Sequence, residues 1–298
     1  MTLNWQDRYQ ARREPERTLR LMSPGDVAGA VAVSQSAGWP HTADDWERFL
    51  HWSPDGCFVI EEAERGIIAT CTTVTYGAKL AWIGMMVVVP DRQRRGLGRQ
   101  LMRAVLDHLI ARGVERIMLD ASEDGRPLYE SLEFRGLCKI ERWEGRASTY
   151  LGPRGRRLEP GDTAALLALD EQLSGLKRAH ILLRLLGDYP QMAWVDWQHG
   201  ELQGFLLGHP LSTGQIHLGP WMAWSSASAQ RLLRVAFEDL QGSEVCVRIP
   251  DYNGRSLVLA SDHNLRRTWH TLRMIFRDAQ PVAGEPLAEL GIVSSATG

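Results

Sequence analysis

Four short motifs recur in the same order in the two halves of this 298-residue chain. P-G-D stands at Pro24 and at Pro160, and I-G at Ile83 answers L-G at Leu218. L-M-R at Leu101 answers L-L-R at Leu232, and G-R-x-L begins at Gly125 and again at Gly254. The offsets fall steadily, 136, 135, 131 and 129 residues. Chance does not keep both order and spacing over four anchors, so an internal duplication of about 130 residues is the better reading. The stretch LGPRGRR, between Tyr150 and Leu158, breaks the periodic pattern on both sides and reads as a linker. Two domains of one fold are expected, residues 1–152 and residues 153–298.

Composition narrows the partners. With 44% hydrophobic residues each half can build a core, and a net charge of -2 gives no general attraction to nucleic acid or an acidic membrane. Cys57, Cys71, Cys138 and Cys246 lie far apart with no C-x-x-C pair, and the histidines show no H-x-E or H-x-x-x-H spacing. That fits neither a disulfide framework nor a zinc site, so no metal is expected and a reducing cytoplasm is the expected location. The N-terminal segment is polar, and no run approaches the roughly 18 apolar residues of a membrane span.

In the first half, Ser23 is placed to cap a helix whose first turn holds Pro24 and Asp26, and a second helix begins near Asp44. CFVIEEAE, GIIATCTTVTYG and LAWIGMMVVV are rich in β-branched residues and separated by turn residues, the pattern of an antiparallel meander. Leu101, Val105 and Leu109 set the apolar face of a helix over 97–112 that Gly113 stops. ERIMLD reads as a strand, and RPLYESLEF as a short helix running into another strand. The fold class is α+β, a mixed α/β sandwich with a central mixed, mostly antiparallel sheet in each half.

QRRGLGRQ then falls at a turn from strand to helix N-terminus, where unpaired amides and the helix dipole favour an anion. Gly96 and Gly98 permit close backbone approach, while Arg92, Arg94, Arg95, Arg99 and Arg103 add positive charge, so a pyrophosphate is a natural guest. No G-K-[ST] follows, and Leu101 stands where a dinucleotide-binding loop would carry its third glycine. Taken alone, the motif is slightly better accounted for by a solvated basic turn.

Q-R-R-G-L-G after V-V-V-P, with Y-E-S-L-E-F about thirty residues later, resembles the GNAT superfamily of acyl-CoA-dependent N-acyltransferases. The superfamily signature is [RQ]-x-x-G-x-[GA] at this turn. The resemblance covers residues 15 to 150, and the second half is similar to the degenerate GNAT-like domain of tandem members. It implies acetyl-CoA as co-substrate, with the backbone of Arg94, Arg95, Gly96, Leu97, Gly98 and Arg99 around the pyrophosphate. It also implies that the edge of Val87, Val88 and Val89 pairs with the pantetheine arm, and that Tyr129 is the acid for the departing thiolate. Where the family often has an asparagine contacting CoA, this chain has Gly125 before Arg126 and Pro127, so contact there falls to backbone, Arg126 or water. Where the family usually has glycine before the aromatic, it has Glu133.

No base declares itself. Glu61 and Glu62 are consecutive on a strand, so one faces each side and the inward one is a candidate, with Asp120 and Glu123 as alternatives. His41 is placed at a substrate entrance. Trp52 and Trp82 read as core, whereas Trp39 and Trp46 either fill core or face the acceptor, where they would favour a flat or cationic amine.

The function expected is acetyl transfer to a small-molecule amine by a monomer or homodimer, without nucleic acid or membrane as partner. A catalytically silent CoA-binding sensor or assembly module is the alternative. The second half has MAWSSASAQ in place of the glycine loop and Val258 in place of the tyrosine, so it is expected to bind no cofactor. Its expected role is to wall part of the acceptor cleft, with Trp221 and Trp224 as candidate contacts.

Overall fold

The computed structural model describes residues 16–277 and 284–298. The first half runs β1 (Arg17–Leu21), α1 (Val27–Ser36), α2 (Ala43–Trp52), β2 (Cys57–Glu62), β3 (Gly66–Tyr76), β4 (Leu80–Val88), α3 (Leu97–Ala111), β5 (Ile117–Ala121), α4 (Arg126–Glu130) and β6 (Phe134–Arg146). The second repeats it as β7 (Arg156–Arg157), α5 (Thr163–Ser174), α6 (Ala179–Asp188), β8 (Ala193–Gln198), β9 (Glu201–Pro210), β10 (Ile216–Ala223), α7 (Ser226–Asp239), β11 (Glu244–Pro250), α8 (Gly254–Asp262) and β12 (Arg266–Phe276). A short β13 (Glu289–Gly291) follows.

The repeat extends to side chains. Asp26 closes a single 3-10 turn by accepting from the Ser23 amide at 2.7 Å, and Arg20 holds the same carboxylate with both terminal nitrogens at 2.7 and 2.8 Å. In the second half Asp162 accepts from the Glu159 amide at 2.8 Å and from Arg156 at 2.6 and 2.8 Å. Each pair fixes the entry from the first strand into the first helix of its half. Thr42 and Asp45 cap α2 reciprocally, the Thr42 amide donating to Asp45 at 2.8 Å.

The strands form one sheet in the order β1-β2-β3-β4-β5-β12-β6-β11-β10-β9-β8-β7, with β13 added beside β10. Reading inward from either end, the order is the same for both halves until the centre, where the last strands are exchanged. β12 lies between β5 and β6, and β6 lies between β12 and β11. The sheet is therefore continuous, where the sequence pattern predicts one sheet per half. The reason is pairing: β6 and β12 run antiparallel through ten residue pairs, and each covers an edge that the other half would otherwise expose. The linker contributes as well, since its last two residues form β7 against β8.

One face of the first half packs α1 and α2 onto Val59, Val74, Tyr76 and Trp82. The other packs α3 and Tyr129 onto Cys71, Ile83, Val87 and Leu119. Alternation along each strand assigns residues to the two faces.

Candidate active site

β4 and β5 run parallel through Ala81↔Ile117, Trp82↔Met118 and Ile83↔Leu119, and there the pairing stops. β4 continues along β3, with Thr70 opposite Val87 and Ala69 opposite Val88, and the Val89 amide donates to Ile68 at 3.0 Å. From Gly84 onward its other edge has no strand partner among the described residues. A bulge interrupts the ladder between Thr70 and Thr72, with Met85 at φ 49° and the Thr70 hydroxyl donating to the Met85 carbonyl at 2.8 Å. Such a bulge releases backbone groups from the ladder and aims them into the gap.

The basic loop closes one end of this gap. Pro90–Arg92 makes a single 3-10 turn, and Arg94 and Gly96 follow with φ of 60° and 81°. Gly96 precedes α3 and no side chain caps the helix there, so first-turn amides point outward, toward where an anion is stabilised. A Cβ at Gly98 would meet Met86 Cε at 2.7 Å and Leu128 at 3.3 Å, so the glycine lets α3 start close against the side chains of β4 and α4. Arg94, Arg95 and Arg103 have no carboxylate partner among the described residues, and Arg99 donates to Ser131 Oγ at 2.8 Å. An open groove of about 440 Å³ runs beside the loop, lined by Gly96, Arg99, Arg103 and Leu19. Arg92 is otherwise engaged, held by Glu62 and Asp91, each at 2.8 Å.

Tyr129, on α4, packs into the same layer as Val87, Val88 and Leu97. Its ring lies edge-on to Phe134 with centroids 6.0 Å apart, and a Cβ at Gly125 would stand 3.0 Å from it. The hydroxyl makes no hydrogen bond among the described residues. Burial raises its pKa well above the usual phenol value, so the proton stays on oxygen at neutral pH. Glu133 takes the turn that the family usually gives to glycine with φ 67°, and its carboxylate meets Arg277 at 2.7 Å.

The carboxylates read as candidate bases lie in ion pairs or at the surface. Glu62 is enclosed between Arg92 at 2.8 Å and Arg17 at 3.1 Å, and hydrogen bonds from Arg92 lower its pKa. It ties β1 and the basic loop to β2. Glu61 lies on the strand edge next to β1 and pairs with Arg20 at 2.9 Å. Asp120 is buried against Arg273 of β12 at 3.0 Å, and Glu123 is exposed.

Trp46 is corrected: it is 0% exposed and fills the core beneath α1 and α2, its indole N–H 3.4 Å from Ser34 Oγ, so it meets no substrate. Trp39 is exposed, and its ring centroid lies 6.2 Å from that of His41. The loop that carries them touches the second half, where the Ser212 hydroxyl donates to the Pro40 carbonyl. Trp221 is fully buried and Trp224 lies where Arg255 donates to its carbonyl at 3.2 Å, so the second half meets this loop through Ser212 instead.

Sequence reasoning missed three features near this site. The Met85 bulge is marked only by Gly84 before it. His209, His217 and Arg248 form a polar group on strands that are otherwise apolar, and those interruptions were the available signal. Residues 294–298 lie across β4: the Trp82 indole donates to the Ser295 carbonyl at 3.1 Å, Tyr76 donates to the Thr297 carbonyl, and a side chain at Gly84 would run into Ala296 at 2.7 Å.

Residues 11–134 match the Acetyltransferase (GNAT) family and residues 166–285 match a second Acetyltransferase (GNAT) domain. The chain belongs to the GNAT superfamily. It carries the fold twice, in tandem. An uncharacterized N-acetyltransferase, YitH of Bacillus subtilis (strain 168), is 26% identical over 70% of this chain and 74% of its own length. Among solved structures, a provisionally named acetyltransferase from Pyrococcus horikoshii shares the fold with a TM-score of 0.78 and 24% identity, covering 95% of this chain and 96% of that one. A tandem GNAT protein from the clavulanic acid biosynthesis pathway does so with a TM-score of 0.64 and 12% identity, over 90% of this chain and 100% of that one.

The two GNAT repeats differ where a cofactor would lie. Eight residues, 89–96, separate β4 from α3, whereas two, Trp224 and Ser225, separate β10 from α7. Ser225 caps α7 by accepting from the Ser228 amide at 3.1 Å, so that helix start is already occupied. β10 pairs with β11 through Ile216 to Leu218, and beyond that point β13 fills the gap, with Trp221 opposite Gly291. The Ile292 amide donates to the Arg248 carbonyl at 3.0 Å and ties the same segment to β11. In the second repeat the chain itself stands where the first leaves an open edge. Among the described residues, no group of three or more His, Cys, Asp or Glu side chains is placed to hold a metal ion, and no helix is long and apolar enough to cross a membrane.

Proposed function

We propose that the chain is an acetyl-CoA-dependent N-acetyltransferase that acetylates a small-molecule amine by direct attack, with Tyr129 as general acid. One observation carries the reading: the unpaired edge of β4 from Gly84 onward, with the glycine loop at its end and the Tyr129 ring packed in the same layer. The cradle fits a pyrophosphate followed by an extended amide-bearing arm. Backbone from Arg94 to Arg99 meets the phosphates, and the free edge at Val87, Val88 and Val89 pairs with the arm as an added strand. Backbone at Gly125 supports the start of α4 against it. Acetyl-CoA supplies an activated acyl carbon.

The chain's own residues then have separable tasks. A backbone N–H released by the bulge at Met85 and Met86 donates to the acyl oxygen as charge grows there. A neutral amine forms the new N–C bond while the C–S bond breaks. The departing sulfur takes the Tyr129 proton, the excess proton on nitrogen leaves to water, and water returns a proton to the Tyr129 oxygen to close the cycle. General acid catalysis of this kind contributes about 10² to 10⁴ in rate. Trp39 and His41 line the acceptor side, and residues 153–298 form a cofactor-free half that walls it.

Thiol release from acetyl-CoA with a panel of small amines tests the reading, with acetylated product identified by mass. Saturable acetyl-CoA binding without release from any amine would favour a CoA sensor. Absence of saturable binding would overturn the cofactor site.

A further inference from the structure

Arg248, on β11, is a cation without a counterion: among the described residues no carboxylate lies within 4.0 Å of its guanidinium. The neighbouring arginines do have partners, Arg48 with Asp45 at 2.5 Å and Arg142 with Glu144 at 3.2 Å. One terminal Arg248 nitrogen donates to His217 Nδ1 at 3.3 Å, which leaves the other ring nitrogen of His217 to donate to the Ile292 carbonyl at 3.1 Å. The His209 ring stands 5.1 Å from that of His217. Arg248 Nε, His209 Nδ1 and His41 Nδ1 are buried nitrogens without a hydrogen-bond partner among the described residues. An unpaired buried polar atom is costly; Arg248 Nε is a donor in every state and each imidazole nitrogen is one in the tautomer that protonates it, so the group is open to an acceptor from outside the chain.

Position ties this cluster to the transfer site. His41 follows Pro40, whose carbonyl accepts from Ser212 in the turn that joins the His209 strand to the His217 strand. Ile292, held by His217 and by the Arg248 carbonyl, leads into the segment that lies over β4 at Gly84, where the open gap begins. The three histidines are held below their usual pKa by burial and stay neutral near pH 7, so the cluster offers one net positive charge with neutral N–H donors. One charge with several donors matches a carboxylate better than a phosphate dianion.

We infer that the Arg248 guanidinium, with His41 and His209, is a carboxylate subsite, and that the acceptor is an amine bearing a carboxylate, of the amino-acid class. The inference rests on the transferase reading and adds the substrate class. The second half then does more than wall the cleft: it supplies the group that orients the acceptor, with the amine directed toward the β4 edge.

The test compares free L-amino acids with their carboxamides as acceptors for the full chain at saturating acetyl-CoA. The acids should be preferred about 10- to 100-fold in kcat/KM, the size of a charged hydrogen bond. Arg248→Ala should abolish that preference while acetyl-CoA affinity is unchanged, and Arg248→Lys should restore part of it. If Arg248→Ala does not fold, His41→Phe should lower the preference by itself. Equal use of acids and amides, or a preference that survives Arg248→Ala, overturns the subsite and leaves the transferase standing. If no acceptor is acetylated, the transferase reading fails, and calorimetry with N-acetylamino acids against their amides decides the subsite. Carboxylate-selective binding lost in Arg248→Ala supports it, and absence of such binding overturns it.

Discussion

Arg273 of β12 donates to Asp120 of β5 at 3.0 Å, an ion pair whose partners come from different halves of the chain. Both side chains are enclosed, Asp120 at 0% and Arg273 at 7% exposure, and the Arg273 guanidinium also stacks 4.5 Å from the Trp82 ring. Removing one member strands a buried charge, so Arg273→Met should destabilise the fold by about 3–5 kcal/mol. The double variant Asp120→Leu/Arg273→Met should recover most of that loss, because the enclosed carboxylate goes with the guanidinium and only the part-exposed Glu289, 3.6 Å from Arg273, loses a partner. Denaturant midpoints for the cycle check this, and an additive double variant would refute it. Strand exchange has a companion consequence: residues 1–152 alone would leave the β5 and β6 edges uncovered, and should self-associate in sedimentation.

Tyr129→Phe keeps the ring that packs on Phe134 and removes the proton. The variant is expected to fold with parental stability and to bind acetyl-CoA with parental affinity, while kcat falls by about 10² to 10⁴. Steady-state kinetics with calorimetric affinity separates the two effects. Equal turnover would return Tyr129 to a packing role.

Glu133 holds φ 67°, a conformation that costs a residue with a Cβ about 1–2 kcal/mol. Its ion pair with Arg277 is exposed at both ends and offsets little. Glu133→Gly removes the backbone strain at some cost in unfolded-chain entropy, so a net gain of up to about 1 kcal/mol is expected. Thermal unfolding reads this directly, and a lowered midpoint would mean that the Arg277 contact matters more than the strain.

His209 and His217 predict how the fold responds to acid. Burial, helped by Arg48 and Arg248, holds His209 at about 4, and His217 lies well below its usual value. Both are depressed, so below pH 6.5 the unfolded chain binds more protons than the folded one and stability rises with pH. Acidification from pH 6.5 toward 4 should therefore weaken the fold, by about 1.4 kcal/mol per pH unit for each fully depressed histidine. Urea midpoints at pH 7 and pH 5 check the slope, and a His209→Gln/His217→Gln variant should flatten it.

Much of the first repeat was legible because its signals are local. Ser23, Asp44 and Gly113 mark helix ends through side-chain or backbone chemistry within a few residues, and Gly96 and Gly98 mark a close approach in the same way. The partner of β6 was not legible. Its alternating pattern is satisfied equally by a neighbour from its own half or from the other, and that choice depends on contacts more than a hundred residues away. The same limit explains Glu62 and Trp46. Period and composition place each on its element, but Arg17, Arg92 and the core beneath α1 decide that one is an ion-pair partner and the other is filling. Arg248 escaped notice because a lone arginine on a strand becomes informative only when its missing counterion can be seen.

The number of acetyl-CoA molecules bound tests how the duplication diverged. If the two repeats were equivalent, two sites of similar affinity would be found. The second repeat has lost the glycine loop, and Ser225 already satisfies the α7 helix start. Val258 is 60% exposed, whereas the aligned Tyr129 is 8% exposed, so no proton donor replaces it in that layer. The opening between β10 and β11 is closed by β13, with Trp221 opposite Gly291, which denies an extended arm the strand edge it needs. Loop, acid and edge are thus lost together, and calorimetry should give one acetyl-CoA per chain. Gly98→Trp is the control: a bulky side chain where even a Cβ would stand 2.7 Å from Met86 should push Met86 and Leu128 aside and abolish saturable binding, with circular dichroism checking that the fold is retained. Binding that survives Gly98→Trp would relocate the site to the second repeat or to the groove beside Arg103, and a stoichiometry of two would mean that β13 yields its place to a ligand.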